Sequence, residues 1–228
     1  MTSNTTQMTK TKAATIIAVF FHAIGLLGIL FTNQKAFFVQ STPFNLLLCF
    51  ALIIWTQSQK NLAFYIFFCI AFVTGIVVEV IGVNTSMLFG DYQYGAILGP
   101  RIRQVPWVIG INWFIVIYCC GISIHTLLSK ALQQMGKQVA RLRAISVIVD
   151  GATLAVFFDW VMEPVAVQLG FWQWNGASIP LFNYISWLVI SMLLLSFFHF
   201  ANFNKQNKFA IHLLLIQLMF FLLLRTFL

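Results

Sequence analysis

The stretch L-A-F-Y-I-F-F-C-I-A-F-V-T-G-I-V-V-E-V-I-G-V, from Leu62 to Val83, contains a single charged residue, Glu79. A run of about 20 predominantly apolar residues is long enough for a helix to cross the hydrocarbon core of a bilayer. A long uninterrupted run favours a helix over an alternating strand, because a helix satisfies its backbone polar groups within the segment. The stretch therefore predicts a membrane-spanning helix.

The composition extends this prediction to the whole chain. Of its 228 residues, 61% are hydrophobic and 8% are charged, whereas a soluble domain carries about 25% charged residues. We therefore expect an all-α polytopic membrane protein in which residues 1–228 form a single domain. Seven apolar segments can be marked: Ala13–Phe31, Pro43–Trp55, Leu62–Val83, Pro106–Leu128, Ala144–Gly170, Ile179–Phe200 and Phe209–Leu228. The first is longer than the core of a signal peptide, and we interpret it as a retained span. The second is short, so we expect it to be tilted or partly interfacial.

Basic residues are divided unequally between the two sides of the seven predicted spans. Nine Lys and Arg residues fall on the side of the N-terminus and four fall on the other side. The positive-inside rule then predicts a cytoplasmic N-terminus and an outside C-terminus. This orientation makes residues 1–12 a polar cytoplasmic segment, residues 84–105 an outer loop and residues 129–143 a basic cytoplasmic loop. The net charge of +8 fits topology determinants at segment ends, and we do not expect nucleic-acid binding.

Four of the five acidic residues lie inside the apolar segments: Glu79, Asp150, Asp159 and Glu163. A carboxyl group at the centre of a membrane helix costs roughly 2.5–3.5 kcal/mol, and such residues usually face a protein interior and mark a working site. Counting about 1.5 Å per residue from the start of each segment, we expect Glu79, Asp159 and Glu163 at similar depth in the outer half. Asp150 lies nearer the cytoplasmic side, about 180° around the helix from Asp159.

Asp159 and Glu163 are spaced i,i+4 and therefore share one helix face. One interpretation is that they only form hydrogen bonds between helices. The sharper one is a paired-carboxyl site, because two carboxyls held close in a site of low dielectric cannot both ionise cheaply and one stays protonated. That supplies a general acid without a metal or cofactor. Together with aromatic faces that stabilise a carbocation, it suits the acid-initiated reaction of an apolar alkene, or a proton relay.

Aromatic residues accompany the carboxyls at the predicted outer level. Tyr92 and Tyr94 lie in the 84–105 loop, whose glycines and proline predict a segment without regular secondary structure, and Trp172 and Trp174 follow the fifth span. Such residues either form an interfacial belt or line and cover a site above the carboxyls.

Six short motifs occur in order between Glu79 and Trp187, about half of the chain. They are E-x-x-G (Glu79–Gly82), F-G-x-Y-x-Y (Phe89–Tyr94), L-G-P (Leu98–Pro100), V-P-W (Val105–Trp107), D-W-V-M-E-P-V-A-V-Q-L-G-F-W-Q-W (Asp159–Trp174) and I-P-L-F-N-Y-I-S-W (Ile179–Trp187). In this order and spacing they resemble the integral-membrane carotenoid 1,2-hydratases, related to archaeal bisanhydrobacterioruberin hydratase. Glu163 stands where that family often has Asp, which preserves a carboxyl but moves it by about one methylene.

The resemblance implies that water is added across the terminal 1,2 double bond of an acyclic carotenoid end group, as in lycopene or γ-carotene, without a cofactor or metal. We expect three catalytic residues: Glu79, Asp159 and Glu163. We expect seven substrate-binding residues: Tyr92, Tyr94, Trp107, Trp160, Trp172, Trp174 and Asn183. The partners implied are the carotenoid polyene, water as co-substrate and the lipid bilayer, in the cytoplasmic (inner) membrane of a bacterium. Association with other carotenoid-pathway enzymes is left open.

Three alternatives remain at this point. A proton-coupled membrane transporter could use the intramembrane carboxylates as a relay, although the two halves of the chain show no inverted repeat. A non-catalytic membrane subunit or carotenoid-binding scaffold would hold pigment without turnover. An end-group cyclase would use the same initial protonation and capture the cation with an internal alkene instead of water.

Overall fold

The fold is predominantly helical, as expected. In the computed structural model, residues 2–131, 139–176 and 178–228 are described. The helices in those ranges are α1 (Thr2–Phe31), α2 (Lys35–Gln40), α3 (Thr42–Thr56), α4 (Leu62–Thr85), α5 (Val108–Ala131), α6 (Val139–Gln168), α7 (Leu181–Phe200) and α8 (Lys208–Phe227). The prediction of an all-α polytopic membrane protein is confirmed at this level.

Among the described residues, six helices are long and apolar enough to cross a membrane: α1, α4, α5, α6, α7 and α8. They carry many exposed large apolar side chains, for example Phe20, Val73 and Leu193. Exposing that apolar surface to water is unfavourable, whereas exposing it to the hydrocarbon core of a bilayer is not. The chain is an integral membrane protein.

The remaining predicted segment, Pro43–Trp55, corresponds to α3, which has only 15 residues, but its two ends lie at opposite ends of the bundle. At its last residue, the Thr56 carbonyl accepts a hydrogen bond of 2.6 Å from Gln7 near the start of α1. The neighbouring Gln57 donates to the Asn204 carbonyl between α7 and α8. At the other end, α2 and α3 contact a short 3-10 turn, Ala96–Leu98, in the connection between α4 and α5.

Helix α5 lies at the centre of the bundle. It packs against α3, α4, α6, α7 and α8, and most of its span is buried, unlike the spans of the outer helices. Side chains on several of its faces therefore point into the protein and not into lipid. This position lets α5 contribute to any site that forms between α4, α6 and α7.

The described part of the chain also contains four short strands, in the connections at one end of the bundle: β1 (Tyr92–Tyr94), β2 (Arg101–Ile102), β3 (Val105–Pro106) and β4 (Trp172–Trp174). We call this the strand end. Strand β1 pairs with β4 and β2 pairs with β3, both antiparallel. The expectation that residues 84–105 lack regular structure was therefore wrong. The decisive pairing joins β1 to a strand about 80 residues later, and local glycine content does not reveal such a partner.

The predicted boundaries shift at two other places. Helix α1 begins at Thr2, within the segment expected to be a polar N-terminal extension. The predicted basic loop of residues 129–143 is shortened from both sides, because α5 continues to Ala131 and α6 begins at Val139. Residues 132–138 of that loop lie outside the described residues.

Candidate active site

Three intramembrane carboxyls, from two different helices, line one small cavity at the strand end. Glu79 comes from α4, and Asp159 and Glu163 come from adjacent turns of α6. All three side chains are at least 95% buried. Since an isolated buried carboxyl is expensive, the hydrogen bonds that each one receives determine what the site can do.

Glu79 accepts three hydrogen bonds. Its Oε2 receives the hydroxyls of Tyr92 at 2.5 Å and Tyr94 at 2.7 Å. Its Oε1 receives the indole N–H of Trp113, on α5, at 3.0 Å. Every bond is donated to the carboxyl group, an arrangement that stabilises a carboxylate. Glu79 is thus held firmly in one orientation.

The two tyrosines reach Glu79 because of strand pairing. Alternate residues of a strand point to the same face of a sheet. In the β1–β4 pair Tyr92 lies opposite Trp174 and Tyr94 lies opposite Trp172, so all four aromatic side chains share the face towards the cavity. Both tyrosines are buried, which is not expected of an exposed interfacial belt.

The other two residues of this face bind the second helix. The indole N–H groups of Trp172 and Trp174 both donate to Oε2 of Glu163 at 3.0 Å. One two-stranded sheet therefore supplies donors to carboxyls on α4 and on α6. The pairing ties the C-terminal ends of those helices together and fixes the distance between their carboxyls.

Two glycines of α4 make room for the donors to Glu79. A Cβ added to Gly75 would lie 2.6 Å from Cγ of Trp113, and one added to Gly82 would lie 2.9 Å from the hydroxyl of Tyr92. Real Cβ atoms essentially never approach a neighbour so closely. The E-x-x-G motif thus has a steric reason here: Gly82, three residues after Glu79, lets the tyrosine hydroxyl close onto the helix.

Asp159 differs from the other two carboxyls. Its Oδ2 accepts a 2.8 Å hydrogen bond from the side-chain amide of Asn183 on α7. Its Oδ1 is buried and has no hydrogen-bond partner within the described ranges. A buried oxygen without a donor suits a protonated carboxyl, in which Oδ2 is the accepting carbonyl and Oδ1 carries the proton. Oδ1 of Asp159 can therefore hold a proton that no described neighbour accepts.

Aromatic rings form much of the remaining wall. The rings of Trp113 and Trp187 stack with centroids 3.9 Å apart and an interplanar angle of 11°. Phe89 and Trp174 lie near Tyr92, with ring centroids 6.2 and 5.1 Å from it. The cavity volume is about 20 Å³, enough to hold about one water molecule.

The pKa values of the two tyrosine hydroxyls are raised well above their ordinary range. Burial is the main cause for both Tyr92 and Tyr94, and the negative charge of nearby Glu79 adds to it. Both hydroxyls therefore remain protonated hydrogen-bond donors at any physiological pH.

Eight of the ten residues expected from the sequence line this cavity: Glu79, Asp159, Glu163, Tyr92, Tyr94, Trp172, Trp174 and Asn183. Trp107 and Trp160 do not line it. Trp160 points outward with 45% of its surface exposed. It follows Asp159 directly, and neighbouring residues in a helix do not share a face.

Trp160 has a different environment, which Pro164 explains. A proline cannot donate a hydrogen bond to the carbonyl four residues earlier, here the carbonyl of Trp160. The guanidinium of Arg225, on α8, donates to that oxygen at 3.2 Å and lies 4.2 Å from the centre of the Trp160 ring. The Arg225 guanidinium thus replaces the backbone N–H donor that Pro164 cannot supply within α6.

Sequence reasoning missed Trp113 and Trp187 as members of the site. Both lie inside apolar segments, where an indole is equally expected at a lipid-facing or an interior position. Trp187 ends the last of the six motifs, which was the one available signal. Asp150, in contrast, is exposed on α6 and is not part of the cavity. Among the described residues, no group of three or more His, Cys, Asp or Glu side chains is placed to hold a metal ion.

Comparison with known proteins identifies the family. Residues 41–228 match the family described as "Carotenoid biosynthesis protein". The chain belongs to that family. It is also 26% identical over 129 residues to bisanhydrobacterioruberin hydratase from Haloarcula japonica, an alignment that covers 54% of this chain and 41% of the relative. The chain therefore spans about two-fifths of the length of that relative. No solved structure matches the chain.

Proposed function

We propose that this member of the carotenoid biosynthesis family is a hydratase, which adds water across the terminal 1,2 double bond of an acyclic carotenoid end group. The substrate class is a lycopene-like or γ-carotene-like polyene, and the product carries a tertiary 1-hydroxy group. The single observation that carries this proposal is the buried Oδ1 of Asp159, which no described residue partners, beside a water-sized cavity with aromatic walls.

In the proposed first step, Asp159 protonates the alkene. The proton on Oδ1 is transferred to C2, the electron pair of the double bond forms the new C–H bond, and C1 becomes a tertiary cation. Asn183 continues to donate to Oδ2 and stabilises the carboxylate that is formed. A free outer face of the stacked Trp113–Trp187 pair stabilises the cation by cation–π attraction, about 0.5–2 kcal/mol.

In the second step a water molecule adds to C1 and loses a proton. We assign the base to Glu163, which lies one helical turn from Asp159 and whose Oε2 is held by two indole donors. Proton transfer from Glu163 back to Asp159 restores the starting state. The net reaction consumes one water and one double bond, and neither an oxidant nor a reductant is required. In this scheme Glu79 positions Tyr92 and Tyr94, and only Asp159 and Glu163 take part in the proton transfers.

Topology forms part of the proposal. We propose seven crossings, with α3 as a short second span, because its two ends contact opposite ends of the bundle. The excess of Lys and Arg on the N-terminal side then makes the strand end the outer one. We further propose that residues 1–228 act as one domain in a bacterial cytoplasmic membrane, with the polyene and water delivered from the bilayer and its outer interface.

The test is to produce the protein in a lycopene-accumulating bacterial host and to analyse the extracted pigments by liquid chromatography and mass spectrometry. We expect a product heavier than lycopene by one water, absent with Asp159→Asn and retained with Asp150→Asn. The second variant removes a carboxyl from the same helix at an exposed position. Equal hydration by both variants would refute the proposed role of Asp159 as proton donor. If lycopene, γ-carotene and longer acyclic polyenes all remain unchanged, the transporter alternative is tested next in proteoliposomes with a pH gradient.

A further inference from the structure

A second, much larger cavity adjoins the carboxyl cavity. Its volume is about 620 Å³, within the usual range of about 300–1,000 Å³ for small-molecule sites. Its walls come mainly from α1, α2, α3 and α8, and they are largely aromatic and aliphatic. Ile29, Phe38 and Phe171 are typical of them.

The two cavities meet at one residue. Asn112, on the central helix α5, lines both the carboxyl cavity and the large cavity. Its neighbour in sequence, Trp113, donates to Glu79. The side chain of Asn112 therefore stands between the reacting groups and the larger space.

The large cavity opens towards lipid. Three of its lining residues are strongly exposed phenylalanines: Phe21, Phe37 and Phe44, at 48%, 63% and 73% of their surface. They lie on α1, α2 and α3, at positions where the surrounding solvent is hydrocarbon. A molecule dissolved in the bilayer can reach this mouth without crossing water.

We propose that the large cavity binds the polyene chain of the carotenoid, and that the end group passes Asn112 to reach the carboxyls. This inference rests on the proposed function. The carboxyl cavity has room for about one water, so the hydrocarbon body of the substrate must lie elsewhere. An apolar cavity that adjoins the carboxyls and opens to lipid meets that requirement. Asn112 is then a specificity-determining residue, because its side chain must move aside for the end group.

Gly25 offers a way to fill the cavity with little disturbance. It lines the cavity, and a Cβ added there would meet Cε2 of Phe220 at 3.7 Å, an ordinary contact. Gly25→Ala should therefore fold and bind, whereas Gly25→Leu places a branched side chain in the space proposed for the polyene. Leu27→Phe is the matched control, since it adds bulk to the same helix at a side chain that is 54% exposed and outside the cavity.

The experiment measures binding without turnover. Each change is combined with Asp159→Asn, produced in a lycopene-accumulating host and purified in detergent, and lycopene per chain is determined from the absorbance of extracted pigment. We expect Gly25→Ala and Leu27→Phe to retain the pigment. Gly25→Leu should retain at least about tenfold less, which corresponds to about 1.4 kcal/mol. Ile24→Trp, a change at a half-exposed residue of the same cavity, is expected to lower binding in the same direction and serves if Gly25→Leu does not fold.

Two results would overturn the inference. One is lycopene binding that is equal in the folded cavity variants and in Leu27→Phe. The other is a cavity occupied only by phospholipid in the Asp159→Asn protein while the unmodified protein still hydrates lycopene. The proposed function can fail separately: cavity-dependent binding by Asp159→Asn, with no hydration by the unmodified protein, would leave the binding site intact and make the protein a carotenoid-binding scaffold.

Discussion

Replacing Gly82 with alanine should loosen the hydrogen bonds that hold Glu79. The new Cβ would lie 2.9 Å from the Tyr92 hydroxyl and 2.9 Å from Cδ2 of Phe89. An ordinary contact requires about 0.5 Å more in each case, and a shift of the Tyr92 hydroxyl away from the new Cβ would disturb its 2.5 Å bond to Glu79. Overpacking of this size costs about 1–3 kcal/mol, and weakening a hydrogen bond to a charged group adds to it.

We therefore expect Gly82→Ala to lose about 2 kcal/mol in the free energy of unfolding, or roughly 4–8 °C in Tm for a chain of this size. Hydration of lycopene should fall by about 10-fold to 100-fold, the effect typical of misplacing a catalytic site by a fraction of an ångström to 1 Å. Tm is measured on purified protein in detergent, and the product is measured in extracts of the lycopene host at matched protein levels.

The matched control is Gly176→Ala, because a Cβ there meets its nearest neighbour at 3.8 Å. The steric argument is checked with Tyr92→Phe, which removes the atom that the Cβ approaches. In that background Gly82→Ala should cost about 1 kcal/mol less than it does alone, since contacting residues couple. Strict additivity of the two changes, or equal behaviour of Gly82→Ala and Gly176→Ala, would show that the close approach to Tyr92 has no energetic consequence.

Two further outcomes follow from the β1–β4 face. Burial raises the pKa of Tyr92 and Tyr94 in the folded state. Their contribution to the free energy of unfolding is therefore fully present below the unfolded pKa of about 10 and is lost as pH rises above that value. Tm should fall more steeply above pH 10 in the unmodified protein than in the double Tyr→Phe variant, and parallel curves would contradict this. Trp174→Phe removes a donor to Glu163 and should lower hydration by about tenfold, for a charged hydrogen bond of about 1.5 kcal/mol. Trp160→Phe, a change at an exposed ring, should leave hydration unchanged, and comparable losses in both variants would argue against the Glu163 contact.

The sequence alone predicted the class of the protein and the identity of its unusual groups. Apolar runs such as Leu62–Val83 predicted membrane helices, because hydrocarbon leaves the backbone few other solutions. The i,i+4 spacing of Asp159 and Glu163 placed both on one face of α6, because helical geometry is local and periodic. The family resemblance found in the motifs from Glu79 to Trp187 was confirmed by the match over residues 41–228.

Contacts between distant segments were beyond local sequence reasoning. The pairing of Tyr92–Tyr94 with Trp172–Trp174 joins residues about 80 positions apart. The glycines of the 84–105 segment predicted irregular structure instead of a strand. Trp113 resembled any other indole in an apolar span, and Trp160, which was expected to bind the substrate, points away from the cavity.

Only the tertiary structure decided which side chains meet the carboxyls. The period of a helix determines which residues share a face. The packing of α4, α5, α6 and α7 determines which face points inward. That packing brings the indole of Trp113 to Glu79 and turns Trp160 outward to Arg225. It also brings no donor from the described residues to Oδ1 of Asp159, since satisfaction of a buried polar atom depends on the neighbours that folding brings to it.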